Sequence, residues 1–331
     1  MMNNTTSITS TQTSTDFIIL SSCLTVIGCI VVIMNLTVFY AAVQISLFRK
    51  SAHYNLVLGL TFADCCGSLG LLLTGIRLAS VTVFKIIPLC IINIVLLEVG
   101  IITSFNQTFL ICLNRYLVMT TKGRDFKIFQ GKYRYLVYAL HWTEAFLIAA
   151  SFFDKESVLQ KSKNGCNLYV FYGDNFEYFR IVFCTSCMVK VTMTVVFYIR
   201  TLLTIRGALP SVHPQDLNKS TPTGQDIRTS SNEPQASGGM TSYSGTNKTV
   251  LENHAVKVRK TTNIIGILLL SLLLFTGPMI IVNLVDRVSH TVMLVTVSLT
   301  TINSMINPII YCAHLHVLRE KLKTVFCASA H

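Results

Sequence analysis

Charged side chains are scarce in this chain: Lys, Arg, Asp and Glu make up 13% of its 331 residues, while 51% of the residues are hydrophobic. A soluble globular domain carries about a quarter charged residues, so the deficit excludes an ordinary soluble domain. The sequence also lacks a metal-binding set of His, Asp and Glu, a nucleophile constellation and an internal repeat. We therefore expect that the protein is not an enzyme.

The hydrophobic residues are concentrated in runs of about 20 residues or more, the length that crosses a bilayer as a helix. We predict an all-α membrane protein, a seven-transmembrane helix bundle followed by a short amphipathic cytoplasmic helix. The first run is kept as a span because the polar leader before it, residues 1–16, lacks the basic start and cleavage site of a signal peptide. The predicted spans are residues 17–43, 55–80, 89–118, 135–154, 178–204, 258–284 and 292–312, followed by the amphipathic helix and tail over 313–331.

The net charge of +12 is unevenly distributed, which argues against nucleic acid as a partner. Most Lys and Arg lie in the tail and in the first, third and fifth connections, residues 44–54, 119–134 and 205–257. The positive-inside rule then places these segments in the cytoplasm and the N-terminus outside the cell. Asn3 and Asn4 begin overlapping glycosylation sequons on that outer side.

One long connection differs from the rest of the chain in composition. Residues 207–255 are rich in Ser, Thr, Gly, Asn and Pro and contain almost no aromatic residues. Such a segment cannot bury enough apolar surface to fold alone. We predict a disordered third cytoplasmic loop there.

The eleven cysteines form no metal-binding pattern, and most lie inside predicted spans, where buried thiols are expected. Cys90 and Cys166 differ, because both fall on the predicted outer side. An oxidising compartment favours a disulfide between them, which would join the loop 155–177 to the third span. Cys327 follows the amphipathic stretch and is either a palmitoylation site or a free thiol.

The seventh predicted span contains two Asn and a Pro, which a membrane helix tolerates only where neighbouring helices satisfy the freed polar groups. The motif there is Asn307-Pro308-Ile309-Ile310-Tyr311, preceded by Asn303. Further motifs occur in chain order: Asn35 in the first span, Leu60-Thr61-Phe62-Ala63-Asp64 in the second, Asn114-Arg115-Tyr116 in the third, Trp142 in the fourth and Pro278 in the sixth. Together they resemble the rhodopsin-like (class A) G protein-coupled receptors, over nearly the whole chain outside the leader and the 207–255 loop.

The resemblance implies a role for the acid in the second span. An unpaired Asp64 in mid-membrane would cost several kcal/mol, and the family accommodates it in a polar pocket that holds Na⁺. The matching groups are Ser104, Asn303 and Asn307, with Asn35 nearby. The alternative is a protonated Asp64 in a hydrogen-bond network without an ion. No other cofactor is expected.

The resemblance also implies an activation mechanism. Arg115 would meet the G protein, Tyr198 and Tyr311 would turn inward to support the active state, and Pro278 would bend the sixth helix. Cys90 and Arg115 are 25 residues apart, about 37 Å at 1.5 Å per helical residue. The two residues therefore belong at opposite ends of the bundle.

The chain departs from the family pattern in the residues around Arg115. Asn114 replaces the acid that normally pairs with the neighbouring Arg, and Val258 stands where many relatives place a second acid. Both changes remove a carboxylate, so we predict raised basal signalling.

Two further departures concern the helices that surround the ligand. Thr276 stands two residues before Pro278, where relatives carry a tryptophan. Lys190 stands where the fifth span normally has a proline, and a buried Lys needs a partner or a lowered pKa. Glu98 is one candidate partner for Lys190; alternatively, the two residues are separate polar anchors for a ligand.

The ligand class is constrained by two positions. Leu97 stands where amine receptors place an Asp, and Thr301 stands where opsins place the retinal lysine, so a monoamine and a Schiff-base photoreceptor are disfavoured. We expect a peptide or small polar molecule, with Asp286 and Arg287 at the rim. The ligand-pocket candidates are Asn93, Leu97, Glu98, Lys190, Thr276 and Thr301.

The leading hypothesis is a plasma-membrane receptor that binds an extracellular ligand and activates a heterotrimeric G protein through outward movement of the sixth helix, with arrestin as a further candidate partner. A transporter or channel is the alternative suggested by the intramembrane Asp64, Glu98, Glu144 and Lys190. Transporters usually contain inverted repeats, which are absent from this sequence. A degenerate receptor without coupling is the third hypothesis.

Overall fold

The computed structural model describes residues 5–46, 51–79, 87–120, 129, 131–161, 168–208, 244–285 and 290–328. In this part of the chain the protein is built from helices. Their bounds are α1 Thr5–Val43, α2 Ala52–Ala79, α3 Ile87–Thr120, α4 Tyr133–Ala150, α5 Lys155–Lys161, α6 Leu168–Tyr172, a 3-10 turn Gly173–Asn175, α7 Phe176–Ala208, α8 Ser244–Leu284, α9 His290–His314 and α10 His316–Ala328.

The long helices overlap the predicted spans: α1 to α4 overlap the first four, and α7, α8 and α9 overlap the last three. Among the described residues, five segments are long and apolar enough to cross a membrane: Ile18–Val43, Ala52–Ala79, Ile87–Thr120, Val170–Arg206 and Thr262–Leu284. The helix α4 carries Arg134, His141 and Glu144, and α9 is rich in Thr, Ser and Asn.

The helix α3 lies at the centre of the bundle, where it contacts α2, α4, α7 and α8. Its side chains are buried along most of its length, including polar ones. Two apolar cores surround it. One is at the end of the bundle that carries Cys90 and includes Phe171, Tyr172 and Phe179; the other is at the end that carries Arg115 and includes Tyr311. We call these the Cys90 end and the Arg115 end.

Two glycines bring α2 and α3 into close contact. A Cβ atom on Gly100 would collide with the backbone of Gly67, so a larger residue at position 100 does not fit this crossing. Small residues commonly permit such close approaches between membrane helices. This close contact places Asp64 on α2 beside Ser104 on α3. Both residues belong to the polar site described below.

The helix α8 begins at Ser244, inside the segment 207–255 that we predicted to be disordered. Helix cooperativity accounts for a helix that extends into this segment: once the apolar part of α8 is anchored, each added residue gains a hydrogen bond without a new nucleation cost. The helix α1 likewise begins at Thr5, within the predicted leader.

The predicted loop 155–177 contains two short helices. Asp154 caps α5, because its Oδ1 accepts a hydrogen bond from the Ser157 N–H at 3.0 Å. The Asp154 N–H donates to the Phe171 carbonyl at 3.0 Å, which ties the start of α5 to α6. Gly173 has φ +51°, so it provides the left-handed turn between α6 and α7. This arrangement presents Phe171 and Tyr172 to the core at the Cys90 end.

The helix α10 follows α9 after a break at Leu315. Leu315 and Leu318 are buried in the core at the Arg115 end, whereas Glu320 is exposed and accepts a hydrogen bond from the Lys323 ammonium at 3.0 Å. This hydrogen bond lowers the pKa of the Glu320 carboxyl. The helix is therefore amphipathic, as predicted.

Candidate functional site

Asp64 is the centre of a polar network that joins three helices. Its side chain is buried, with 1% of its surface exposed. The hydroxyls of Ser104 on α3 and Ser304 on α9 each donate to Asp64 Oδ1 at 2.9 Å. The Asn307 Nδ2 donates to Asp64 Oδ2 at 2.7 Å. The predicted association of Asp64 with Ser104 and Asn307 is thus present in the structure.

Asn303 and Asn35 extend this network to α8 and α1. The Ser271 hydroxyl on α8 donates to Asn303 Oδ1 at 2.9 Å, and Asn35 Nδ2 donates to the Ser304 carbonyl at 3.1 Å. Ser271 and Ser304 were missed by the sequence interpretation. A serine in a membrane helix usually bonds its own backbone, so the sequence carries no signal that distinguishes these two.

A cavity of about 20 Å³ lies against this network. Its lining residues include the polar Ser104, Thr276, Thr300, Thr301, Asn303 and Ser304 and the apolar Phe105 and Leu272. A water-sized species needs about 10–15 Å³ by this measure, so the cavity has room for one.

The short side chain at position 276 contributes to this space. Thr276 is 1% exposed, and its hydroxyl has no hydrogen-bond partner among the described residues. A tryptophan, which members of the family that the chain resembles carry at this position, is much larger than this threonine.

The Asn114-Arg115-Tyr116 motif lies near the end of α3 opposite to Cys90. Asn114 is buried, and its Oδ1 has no hydrogen-bond partner in the part of the chain that the structure describes. Arg115 is half-buried and lies within electrostatic range of His53 on α2. The Tyr116 ring stacks on Phe197 of α7 at a centroid distance of 5.3 Å.

The two tyrosines that were assigned to activation lie in different surroundings. Tyr311 is 1% exposed, and its hydroxyl has no hydrogen-bond partner among the described residues. The Tyr198 hydroxyl lies directly over Gly266 of α8, where a Cβ atom would collide with it. Pro278 lies inside α8, so this helix lacks one backbone hydrogen bond at that point.

Lys190 pairs with Glu144 and not with Glu98, which corrects one of the two alternatives. The Lys190 ammonium donates to Glu144 Oε1 at 2.5 Å and to the Ser186 hydroxyl at 2.7 Å. Asn106 Nδ2 donates to Glu144 Oε2 at 3.3 Å, so the pair also joins α3. Glu144 on α4 was the better partner because α4 packs beside the Lys190 face of α7, a proximity that only tertiary packing determines.

The ligand-pocket candidates on α3 are buried on different sides of that helix. Asn93 Oδ1 accepts a hydrogen bond from the Thr74 hydroxyl at 3.3 Å, and Leu97 packs against Gly70, so both face α2. Glu98 is 5% exposed and is within electrostatic range of Tyr172, Cys184 and Cys187. Two of the six predicted ligand contacts, Thr276 and Thr301, line one cavity.

Several predicted positions lie outside the described residues. Cys90 is disulfide-bonded, but its predicted partner Cys166 lies outside them, as do Asn3, Asn4, Asp286 and Arg287. The side chains of Val258 and Cys327 lie outside them as well.

The sequence motifs lie on successive long helices, and the Asp64 network joins three of these helices. The family described as 7 transmembrane receptor (rhodopsin family) matches residues 34–311, which is most of the sequence. The chain belongs to the rhodopsin family of seven-transmembrane receptors. A search of curated proteins found no match.

Membership of the rhodopsin family determines the class of function. The protein is a multi-pass membrane protein and a G protein-coupled signalling receptor, not an enzyme. Membership of this family implies an extracellular ligand and a heterotrimeric G protein as partners.

Proposed function

We propose that this rhodopsin-family receptor resides in the plasma membrane with an extracellular N-terminus and crosses the membrane seven times through α1, α2, α3, α4, α7, α8 and α9. An extracellular ligand favours the conformation in which α8 moves outward at the Arg115 end. The cleft that opens there binds a heterotrimeric G protein. The observation that carries this proposal is the Asp64 network, which joins α2, α3 and α9 between the cavity and Arg115.

Movement of α8 requires a bend and a link to the ligand. Pro278 supplies the bend, because it removes one backbone donor from the helix. The Ser271–Asn303 hydrogen bond links α8 to α9. Asn303 lines the same cavity as Thr276. A ligand shifts the equilibrium only if it binds the two conformations with different affinities, so it must contact α8 or a residue that moves with α8.

Na⁺ is the allosteric ion that we propose for the Asp64 network. The carboxylate supplies the negative charge, and the oxygens of Ser104, Asn303 and Ser304 line the adjoining cavity. Hard cations prefer such oxygen ligands, so the residues present fit the ion. Bound Na⁺ would neutralise Asp64 and hold α2, α3 and α9 together in the inactive conformation.

The remaining proposals concern the extracellular and cytoplasmic surfaces of the receptor. We assign a Cys90–Cys166 disulfide, supported by the disulfide state of Cys90, and glycosylation at Asn3 and Asn4. On the inner side α10 lies along the membrane, supported by its buried Leu318 and exposed Glu320, with Cys327 as its palmitoylation site. Arrestin is a second partner for the cleft, and the ligand is a peptide or a small polar molecule.

A panel of chimeric G protein reporters in cells that express the chain tests this proposal. We expect nucleotide exchange above that of cells without the receptor, and we expect Arg115→Ala to abolish it at equal surface expression. Membrane currents and tracer-ion uptake are recorded in the same cells. Ion flux without nucleotide exchange would overturn the receptor mechanism in favour of a transporter or channel.

A further inference from the structure

The Lys190–Glu144 pair lies at middle depth in the bundle. Glu144 is 11 residues after Tyr133 and six before Ala150, the two ends of α4, which is about 16 Å and about 9 Å at 1.5 Å per residue. Lys190 lies near the middle of α7. Lipid headgroups are about 15 Å from the centre of a bilayer whose hydrocarbon core is about 30 Å thick. The pair is therefore surrounded by hydrocarbon wherever the bundle does not cover it.

This pair is partly uncovered on the outer surface of the bundle. The Glu144 side chain is 37% exposed, and His141, one turn before it on α4, is also partly exposed. Leu140 and Leu147 are four residues before and three residues after Glu144, so they share its face of the helix. They are 61% and 59% exposed. We call this surface, residues 140, 141, 144 and 147, the Glu144 face.

Bilayer lipids do not complete the Glu144 face. Ionisable side chains in membrane helices almost always face the bundle interior or a water-filled cavity. The polar groups of lipids lie at the membrane interface, too far from Glu144 to bind its carboxylate. Another transmembrane helix brings polar side chains to this depth, and such side chains form hydrogen bonds across helix contacts. The face therefore fits a membrane-spanning partner.

The two oxygens of the Glu144 carboxylate differ in their contacts. Oε1 accepts hydrogen bonds from the Lys190 ammonium at 2.5 Å and the Ser186 hydroxyl at 3.3 Å. Among the described residues, Oε2 has only longer contacts, with Asn106 Nδ2 at 3.3 Å and His141 Nδ1 at 3.6 Å. The second of these is beyond hydrogen-bond distance. A carboxylate oxygen has two acceptor positions, and a neutral imidazole carries one N–H donor, so the face holds both an acceptor and a donor.

We propose that the Glu144 face is the contact between two copies of this receptor, related by a two-fold axis perpendicular to the membrane. Such an axis places each residue at the same depth as its counterpart, and this kind of contact requires a self-complementary surface. The Glu144 face meets the requirement, because the His141 imidazole of one copy supplies a donor and Glu144 Oε2 of the other supplies an acceptor. Leu140 and Leu147 pack around these hydrogen bonds. The contact does not depend on the proposed coupling to a G protein.

Energy transfer between donor-labelled and acceptor-labelled full-length receptors in phosphatidylcholine vesicles tests this contact. The protein-to-lipid ratio is varied, and a dimer dissociation constant is fitted after subtraction of chance proximity. We expect saturable transfer for the wild type. His141→Phe removes the donor but keeps an aromatic ring beside Phe109. We expect this variant to raise the dissociation constant by about tenfold, because two equivalent hydrogen bonds are lost.

Two further variants complete the measurement. Glu144→Leu combined with Lys190→Met removes the acceptor without leaving an unpaired charge, and it should also raise the dissociation constant by about tenfold. It keeps the test decisive if His141→Phe does not fold. Thr37→Val is the control, since it removes a hydroxyl from α1 that bonds the Ile33 carbonyl of the same helix, and it should leave the constant unchanged. Unfolding midpoints show that each variant is folded.

Disulfide crosslinking in the same vesicles locates the contact. Leu140→Cys on the Glu144 face and Leu274→Cys on α8 are matched variants, because the two leucines are 61% and 60% exposed. Under mild oxidation we expect a crosslinked dimer above the wild-type background from Leu140→Cys and not from Leu274→Cys.

The inference is overturned if energy transfer in the wild type never exceeds chance proximity, since the Glu144 face would then contact lipid or a different membrane protein. It is also overturned if His141→Phe and the double variant both retain the wild-type dissociation constant. Crosslinking of Leu274→Cys as efficient as that of Leu140→Cys would place the contact elsewhere on the receptor and would likewise exclude it.

Discussion

At the scale of single residues, the position before Arg115 sets the electrostatics of the Arg115 end. Asn114 is 2% exposed and offers a neutral amide where an acid would pair with the neighbouring guanidinium. We expect Asn114→Asp to hold Arg115 in the inactive conformation and to lower basal nucleotide exchange by about threefold to tenfold, equivalent to ~1 kcal/mol. The measurement is ligand-free exchange at equal surface expression.

Asn114→Leu is the matched control for this prediction, because it keeps the number and branching of the side-chain heavy atoms without adding charge. It should leave basal exchange near the wild-type value. Equal exchange in the wild type and Asn114→Asp would show that the missing carboxylate has no effect on the equilibrium.

Thr276 and Thr301 line the same cavity but differ in hydrogen bonding. The Thr301 hydroxyl donates to the Val297 carbonyl at 3.2 Å, whereas the Thr276 hydroxyl is unpaired among the described residues. A buried unsatisfied hydroxyl costs about 1–3 kcal/mol. We therefore expect Thr276→Val to raise the unfolding midpoint and Thr301→Val to lower it slightly, in thermal scans of the purified receptor. A lower midpoint for Thr276→Val would mean that its hydroxyl has a partner, such as a bound water.

At the scale of helices, the Lys190–Glu144 pair connects α7 to α4. Removal of one partner from a buried pair costs about 3–5 kcal/mol, and the 37% exposure of the Glu144 side chain reduces this value. We expect Lys190→Met and Glu144→Leu each to destabilise the receptor by about 1–3 kcal/mol. The double variant should recover much of the loss, because it leaves no unpaired charge.

A double-mutant cycle on unfolding free energies measures this coupling. Additive single effects would show that the ion pair does not stabilise the α4–α7 contact. In that case Ser186 and Asn106, which also hydrogen-bond to this pair, would be the groups that hold the helices.

The contact between α7 and α8 depends on a glycine. A Cβ atom at Gly266 would meet the Tyr198 hydroxyl, so Gly266→Ala should displace that ring and separate the two helices at the Arg115 end. We expect basal nucleotide exchange to rise by about threefold, since ~0.6 kcal/mol suffices for such a shift. Gly277→Ala on the same helix is the control, because its Cβ would meet no atom within 4 Å. A similar rise in both variants would indicate a loss of flexibility in α8 and not a local wedge.

At the scale of the whole molecule, the Asp64 network is the point where α2, α3 and α9 meet. If Na⁺ binds there, it stabilises the folded receptor by RT ln(1 + [Na⁺]/Kd), about 1 kcal/mol at a few times Kd. We expect NaCl, compared with choline chloride at equal ionic strength, to raise the unfolding midpoint of the wild type but not of Asp64→Asn. Ser68→Ala is the control, since its hydroxyl bonds the Asp64 carbonyl and not the carboxylate.

The same salt comparison distinguishes the two hypotheses for Asp64. A protonated Asp64 in an ion-free network predicts equal midpoints in sodium and choline for the wild type. A sodium effect that persists in Asp64→Asn would place the ion elsewhere in the receptor.

The sequence by itself determined the class of this protein. Long apolar runs must form helices in a bilayer, because lipid offers no partner for backbone polar groups. The motif order from Asn35 to Tyr311 then indicated the rhodopsin family, which the family match over 34–311 confirms. These inferences depend on local composition and spacing, so they need no knowledge of which helix faces touch.

Only the tertiary structure decided which polar groups are neighbours. The sequence offers two acidic partners for Lys190, Glu98 and Glu144. Because α4 packs beside α7, Lys190 pairs with Glu144. Ser304 joins Asp64 for the same reason, because the orientation of α9 brings its hydroxyl to 2.9 Å. Helix rotation and tilt are set by side-chain packing across the whole bundle, and a one-dimensional pattern does not contain them.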